Sequence, residues 1–377
     1  MIKIDGLFDS SFARLTGLSW IVPVGLSFYT LQMVAYLVDI YKGKVTAQRN
    51  IFKFALFASF FPQIIQGPIP RYEALSGQLY EGNEFDFDEF VGGLQLILWG
   101  FFLKFMIADK AGVVVNTVFD DYASYAGGYV LFAGVLYSLQ LYADFLACTT
   151  LAQGVSQMFG IRLSDNFERP YFATSIKDFW RRWHISLSSW LRDYVYIPLG
   201  GSRKGAFRKY LNVVITFAVS GLWHGDSVKF VFWGLLHAFY QIAERPLDKV
   251  KVPVILRRLG TFVLAMIGWI IFRADSLDSS FAMLKSMVTV WNPQIWTDGS
   301  LLELGLGGAE MVVLGVSLLA LLVVSCMQER GVKVRDLVSS MNVAFRWVIY
   351  LLAIWAIWIF GTYGFGFNAS DFIYGGF

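Results

Sequence analysis

Three histidines make up the whole imidazole inventory of this 377-residue chain, two in apolar stretches and His184 in an amphipathic one. Imidazole is the side chain whose ordinary titration lies nearest neutral pH. An ionisable group at membrane depth is costly and marks a candidate functional position. His224 stands in SGLWHG (220–225), where glycines on either side interrupt a helix and let a backbone or a ligand come close. An imidazole beside such a break, in an apolar layer, suits a proton acceptor. His184 stands in DFWRRWHISLSSWLRD (178–193). Helical spacing there groups Trp180, Trp183, Leu187 and Trp190 on one face, with Arg181, Arg182, Ser188, Ser189 and Arg192 towards the other. Two readings compete. One is an amphipathic anchor at the bilayer interface; the other is a set of arginines that meets the phosphates of an anionic donor such as coenzyme A. His237, in WGLLHA, has less around it, and a structural role is expected.

The C-terminus reads DFIYGGF (371–377). Chain ends are usually polar and loose. An aromatic one is either an anchor docked in a groove or a means of bringing the Tyr374 phenol to a buried site. Lys104, Asp109 and Lys110 close an apolar run, and a snorkelling end or an internal ion pair accounts for them without chemistry. Cys148 and Cys326 lie far apart in apolar stretches and read as small buried hydrophobes. No zinc-type cluster is present in the sequence, so no metal site is expected.

The elements that must position these residues are membrane helices. Hydrophobic residues make up 56% of the chain and charged residues 16%, against about 25% charged in a soluble domain. That much apolar surface has to face lipid. A net charge of +3 with no basic tail argues against nucleic-acid binding. The first five residues do not make a signal peptide. Apolar stretches at 17–41, 90–108, 127–148, 210–223, 228–243, 259–273, 309–327 and 345–361 read as membrane segments. Residues 51–69, broken by prolines, read as a short or re-entrant helix, 71–90 as an acidic loop, and 114–126 as mixed. The expected fold is a single all-α, polytopic membrane domain over 1–377, with eight to ten membrane segments, some short, broken or interfacial. The basic runs SRKGAFRK (202–209) and Lys249, Lys251, Arg257 and Arg258 are expected on the cytoplasmic side.

Several stretches together resemble the membrane-bound O-acyltransferase family, in the branch that O-acetylates bacterial alginate and peptidoglycan. They are PVGLSFYTLQ (23–32), FFPQIIQGPIPRY (60–72), SLQLYADF (138–145), MFGIRLSDNFERPY (158–171), SIKDFWRRWHISLSSWLRDYVYIPLGGSRKG (175–205), GLWHG (221–225) and FIYGGF (372–377). The resemblance implies a tunnel through the bilayer, with the donor entering from the cytoplasm and the acceptor working outside. It implies His224 as the catalytic histidine, His184 as its support, and Tyr374 as a carrier of the acyl group within a C-terminal motif (372–377). Trp183 and Trp223 would shape the site, and Arg181, Arg182, Arg203 and Lys204 would steer donor phosphates. The implied activity is acetyl transfer from cytoplasmic acetyl-CoA, with no bound cofactor, for O-acetylation of an extracellular or cell-wall polysaccharide. A serine-hydrolase-like extracytoplasmic acyltransferase would be the partner, and the bacterial cytoplasmic membrane the location. Two alternatives stand beside this: D-alanyl transfer to teichoic acid, and a polysaccharide transporter or flippase, which would be expected to carry an internal repeat that this sequence lacks. The chain departs from the family in two places. Relatives carry two or three further N-terminal spans, and they place an acidic residue where this chain has Thr150.

Overall fold

A computed structural model describes residues 25–64, 66–246 and 250–363. Residues 17–24 of the first expected span, Lys249 of the second basic run and the C-terminal motif 372–377 with Tyr374 lie outside those residues. Helix α1 (Leu26–Tyr41) starts after Gly25, whose φ of 77° is the left-handed region that glycine tolerates. The proline-broken stretch gives only α2 (Ile51–Ala58), capped by the Asn50 side chain on the Phe52 and Lys53 amides, and one further turn. The acidic stretch expected as a loop contains α3 (Tyr72–Tyr80).

The mixed segment 114–126 is helical as far as Asp120, and only the remainder forms the turn between two spans. Residues Phe87–Asp120 run as one helix, α4, with π-helical turns at Phe102–Ala108 in its middle. Asp86 caps its start by accepting from the Asp88 and Glu89 amides. Helix α5 (Gly128–Met158) packs along it. Both helices carry buried i, i+4 stripes, Leu103, Ile107, Ala111 and Val115 on α4 and Ala133, Tyr137, Leu141 and Phe145 on α5, and they approach each other where Gly93 meets Gly154 and Gly100 meets Leu151.

The amphipathic stretch around His184 is not one helix. It folds as α6 (Ile176–Arg182) and α7 (Ile185–Leu191), broken at His184, whose φ of 45° no helix accommodates. Nor does its indole face meet the bilayer interface. Trp183, Leu187 and Trp190 are buried in the protein core, because α5 and the later helices surround them.

Helices α8 (Gly205–His224) and α9 (Val228–Ala243) form a tight hairpin. Then come α10 (Val254–Arg273), α11 (Leu277–Thr289), α12 (Gly308–Glu329) and α13 (Val343–Phe360). Among the described residues, five helices are long and apolar enough to cross a membrane: α4, α5, α10, α12 and α13. Of the other expected segments, α1 and α9 are shorter helices, each of 16 residues, and α8 has the length, 20 residues, but is less apolar. The chain is therefore a multi-pass membrane protein.

Its two ends differ in charge. At one, Arg162 pairs with Glu89, Arg335 bonds Gln157, and Arg169, Arg182 and Arg258 converge on Glu329. At the other, Arg273 meets Asp120, and Asn292 bonds the turn before α5. The first is the basic end. The α8–α9 hairpin enters from it, since Arg245 bonds Tyr210 and Glu244 receives the Ile176 and Lys177 amides there. Its tip reaches the depth of the far end of α10, where Lys229 donates to the Ala274 carbonyl.

Inside the α4–α5 contact, Lys104 is an internal ion pair rather than a snorkelling end. Its Nζ lies 2.8 Å from Asp144 and 2.9 Å from Asp109, and Lys104 and Asp144 are buried. Removing one partner of a buried pair costs about 3–5 kcal/mol. Lys104→Met is accordingly expected to lower the thermal midpoint of the detergent-solubilised protein by many degrees, while Lys53→Met, on the exposed surface of α2, leaves it unchanged. Equal melting curves for the two variants would show that this cluster does not hold α4 to α5.

Candidate functional site

His224 is the last residue of α8, and an extended Gly225 ends the helix there. The hairpin brings it in through two backbone contacts. A Cβ on Gly221 would lie 2.3 Å from the Phe230 carbonyl oxygen, and one on Gly234 would lie 2.2 Å from that of Phe217. Only glycine allows this approach, as in small-residue packing between membrane helices. The His224 ring is then enclosed edge-on by Trp223 (4.8 Å between centroids), Trp233 (5.1 Å) and Phe272 (5.3 Å).

His184 joins the same layer from the α6–α7 break. Its ring meets Phe145 edge-on at 4.7 Å, stacks on Phe28 at 6.2 Å and meets Trp223 at 6.1 Å. One indole, Trp223, therefore touches both imidazoles. Trp183 lies behind, against Trp269 at 4.8 Å and Phe179 at 5.5 Å. It shapes the layer without a direct part in it.

His237 is a packing residue. The Trp180 indole N–H donates to its Nδ1 at 3.2 Å, and the ring edge fills the space left by Gly268, where a Cβ would come within 2.5 Å of Nε2.

A cavity of about 550 Å³ leads towards this layer from the basic end. Lys177, Arg181, Arg192, Lys209 and Arg245 line it together with Trp180, Tyr196, Tyr210 and the hydroxyls of Ser188, Ser189 and Ser202. Along α8 its wall runs through Val213, Thr216 and Phe217 to Ser220, one turn, or about 6 Å, before His224. Five cationic side chains and an apolar stretch of wall along α8 suit a ligand with a polyanionic head and a less polar arm.

Of the arginines singled out in the sequence, Arg181 lines the cavity and Arg182 does not. Arg182 bonds Glu329 at 3.0 Å and Asp178 at 3.2 Å. The two are neighbours in sequence, and about 100° of helical rotation sends them to opposite tasks. Arg203 and Lys204 stand exposed on the loop that brings Ser202 to the cavity wall. Arg192, on the polar helix face, and Lys209, in the basic run 202–209, line the cavity, as do Lys177 and Arg245, which their local sequence does not mark as ligand-facing. Tyr374 lies outside the described residues.

The polar atoms of the layer carry the chemical information. Nearly all buried polar groups in proteins are hydrogen-bonded. Here Trp223 Nε1, Trp233 Nε1 and His184 Nε2 are buried with no hydrogen-bond partner among the described residues. Trp233 Nε1 faces Gly268 beside His237 Nε2, which leaves the Trp223 N–H donor and the His184 ring nitrogen in the aromatic layer, a pair able to hold a group undergoing nucleophilic substitution.

A sequence model of the membrane-bound O-acyltransferase family matches residues 47–258. The chain is 37% identical over 304 residues to the probable alginate O-acetylase AlgI of Pseudomonas putida, a match covering 80% of this chain and 62% of that protein. It is 35% identical to the peptidoglycan O-acetyltransferase of Helicobacter pylori, covering 71% of this chain and 57% of that protein. With the teichoic acid D-alanyltransferase of Bacillus subtilis the identity is 32%, covering 57% of each. The chain thus spans between half and two thirds of the length of the curated relatives it matches.

The cavity geometry separates neighbouring arginines in a measurable way. A hydrogen bond to a charged group contributes about 1.5–3 kcal/mol. Arg181→Gln is expected to weaken binding of coenzyme A to the detergent-purified protein by about tenfold or more, and Arg182→Gln to leave it within about twofold. Calorimetric titration that found both variants equal to the parent would remove the phosphates from this cavity.

Proposed function

The chain belongs to the membrane-bound O-acyltransferase family, and we propose that it passes an acetyl group from acetyl-CoA across the membrane for O-acetylation of an extracellular or cell-wall polysaccharide. The observation that carries the reading is the cavity with five cationic side chains whose wall ends one turn from His224. Short loops rich in Lys and Arg mark the cytoplasmic side of a membrane protein. The basic end, and with it the cavity, therefore faces the cytoplasm, where acetyl-CoA is made.

Coenzyme A is too large and too charged to cross the bilayer, whereas an acetyl group is small. The cationic residues hold the phosphates, and the pantetheine arm carries the thioester along α8 towards the layer of His224. There His224 takes the proton of an attacking hydroxyl. A C–O bond forms at the thioester carbonyl, the C–S bond breaks, and the departing thiolate receives the proton back. The indole N–H of Trp223 is the donor for the oxyanion that forms between these steps. Tyr374 is the hydroxyl of choice, giving an acetyl-tyrosine. A serine-hydrolase-like protein outside the cytoplasm then passes the acetyl to a polysaccharide hydroxyl. Acetyl is favoured over D-alanyl because the identity to the O-acetylating relatives is higher and extends over more of the chain. A transporter without chemistry has no need of the family's histidine layer.

In a deletion strain, the gene carrying His224→Ala is expected to restore the protein to the membrane fraction but less than about 1% of the parental polysaccharide O-acetylation. Normal acetyl content in that strain would remove His224 from the mechanism. Tyr374→Phe keeps the ring and removes one oxygen, and it is expected to abolish acetylation while leaving coenzyme A binding intact. Full acetylation by that variant would exclude the tyrosine carrier and leave the histidine chemistry standing.

A further inference from the structure

Asn166 is a buried residue of the connection between α5 and α6 that the mechanism has not used. Both its backbone and its side chain clamp the break at His184. Its carbonyl accepts the Ile185 amide at 2.9 Å. Its Oδ1 lies 3.1 Å from the Ser186 amide nitrogen, 2.8 Å from Ser186 Oγ and 3.2 Å from His184 Nδ1.

The side-chain amide cannot be turned round. The Ser186 backbone N–H is an obligatory donor, and a flip would set the Asn166 NH₂ against it. The oxygen therefore stays, and His184 Nδ1 faces an acceptor. Two lone pairs so placed would repel, so Nδ1 carries the hydrogen. A neutral imidazole has a single N–H. His184 Nε2 is thus bare, and it is buried with no hydrogen-bond partner among the described residues. His237 shows the opposite arrangement. An indole is only ever a donor, so the Trp180 N–H makes His237 Nδ1 the acceptor and leaves the hydrogen on Nε2.

From this geometry we propose that Asn166 is a positioning residue of the site: it pins His184 as the Nδ1–H tautomer, so that the substrate group meeting Nε2 is an O–H, N–H or S–H and never the thioester carbonyl. The tautomer follows from the hydrogen bonds alone, and its use in substrate binding rests on the acetyl-transfer reading. The assignment divides the layer. His184 serves a hydrogen-bearing group of the substrates, and the carbonyl oxygen falls to the indole N–H of Trp223.

The tautomer is read by ¹⁵N NMR of the histidine-labelled full chain in lipid nanodiscs near neutral pH, with His184 assigned by the loss of its signals in His184→Gln. The expected spectrum has His184 protonated at Nδ1 and His237 at Nε2. Asn166→Leu removes the acceptor. It is expected to shift His184 towards the other tautomer and to lower acetyl transfer from acetyl-CoA at least tenfold, with coenzyme A affinity changed less than twofold. Asn166→Asp keeps an oxygen at Oδ1 and is expected to keep both the tautomer and most of the transfer. His184 protonated at Nε2 in the parent or in Asn166→Asp overturns the assignment, as does an unmoved tautomer in Asn166→Leu. A moved tautomer with parental transfer rates overturns the positioning role. Absence of acetyl transfer by the parent protein, with the tautomers as assigned, counts against the acetyl-transfer reading instead.

Discussion

A polar atom without a partner in hydrocarbon costs several kcal/mol, and the arrangement of this protein follows from where it meets that cost and where it leaves it standing. At the α4–α5 contact, a lysine that would be ruinous alone is flanked by two carboxylates, each within 3 Å. At Trp190, the indole donates to the Leu31 carbonyl. In the layer around His224, by contrast, the Trp223 indole N–H and the His184 Nε2 stay unanswered by the described residues. Other buried polar atoms also lack partners among the described residues, Gln66 Oε1, Tyr137 Oη and Asn212 Oδ1 among them, but in this layer the unanswered atoms sit beside the two imidazoles, where a ligand that brings its own donors and acceptors can meet them.

The depth of that layer is set by the hairpin. A helix of 20 residues spans about 30 Å, so α8 carries His224 from the basic end through most of a bilayer before Gly225 stops it. The close backbone contacts at Gly221 and Gly234 fix α8 against α9 with no side chain between them. Because the carbonyl oxygens of Phe230 and Phe217 fill the space a Cβ would need, any larger residue would push the helices apart, and overpacking of this kind costs about 1–3 kcal/mol. The same rigidity that positions the imidazole keeps the cavity wall along Thr216 and Ser220 in register with it.

Much of this was legible in the sequence, and the limits have physical causes. The long apolar runs gave the spanning helices, since hydropathy reports directly on lipid exposure. The break at GLWHG was announced by its glycines. The break at His184 was not. Its positive φ comes from Asn166, 18 positions away, whose carbonyl and side chain take the amides of Ile185 and Ser186. Helical periodicity continues smoothly through WRRWHISLSSW and cannot register a contact made from outside the segment. The same blindness affected Arg181 and Arg182: both lie on the polar side of a helical projection, but the partner that captures Arg182 is Glu329, nearly 150 residues later. Residues 114–126 looked mixed because their polar positions serve the end of α4, where Asn116 and Asp120 receive Arg273.

The three histidines show how far environment outranks residue type. All are nearly sealed from solvent and all touch tryptophan. What separates His237 from His184 is the neighbour at Nδ1. An indole can only donate, so it turns the His237 ring into an acceptor on the side facing Trp180 and leaves an N–H beside Gly268, where the ring is packed and has no room to meet a ligand. An amide oxygen can only accept, so it turns the His184 ring the other way and leaves a bare nitrogen within the aromatic layer. One histidine is thereby used as a wedge and the other as a receptor for hydrogen, from identical side chains. The WHG turn then contributes a third imidazole whose backbone lies at a helix end, next to the terminus of a cationic cavity, and it is this last circumstance, rather than any property of the ring itself, that supports the proton-transfer role proposed for His224.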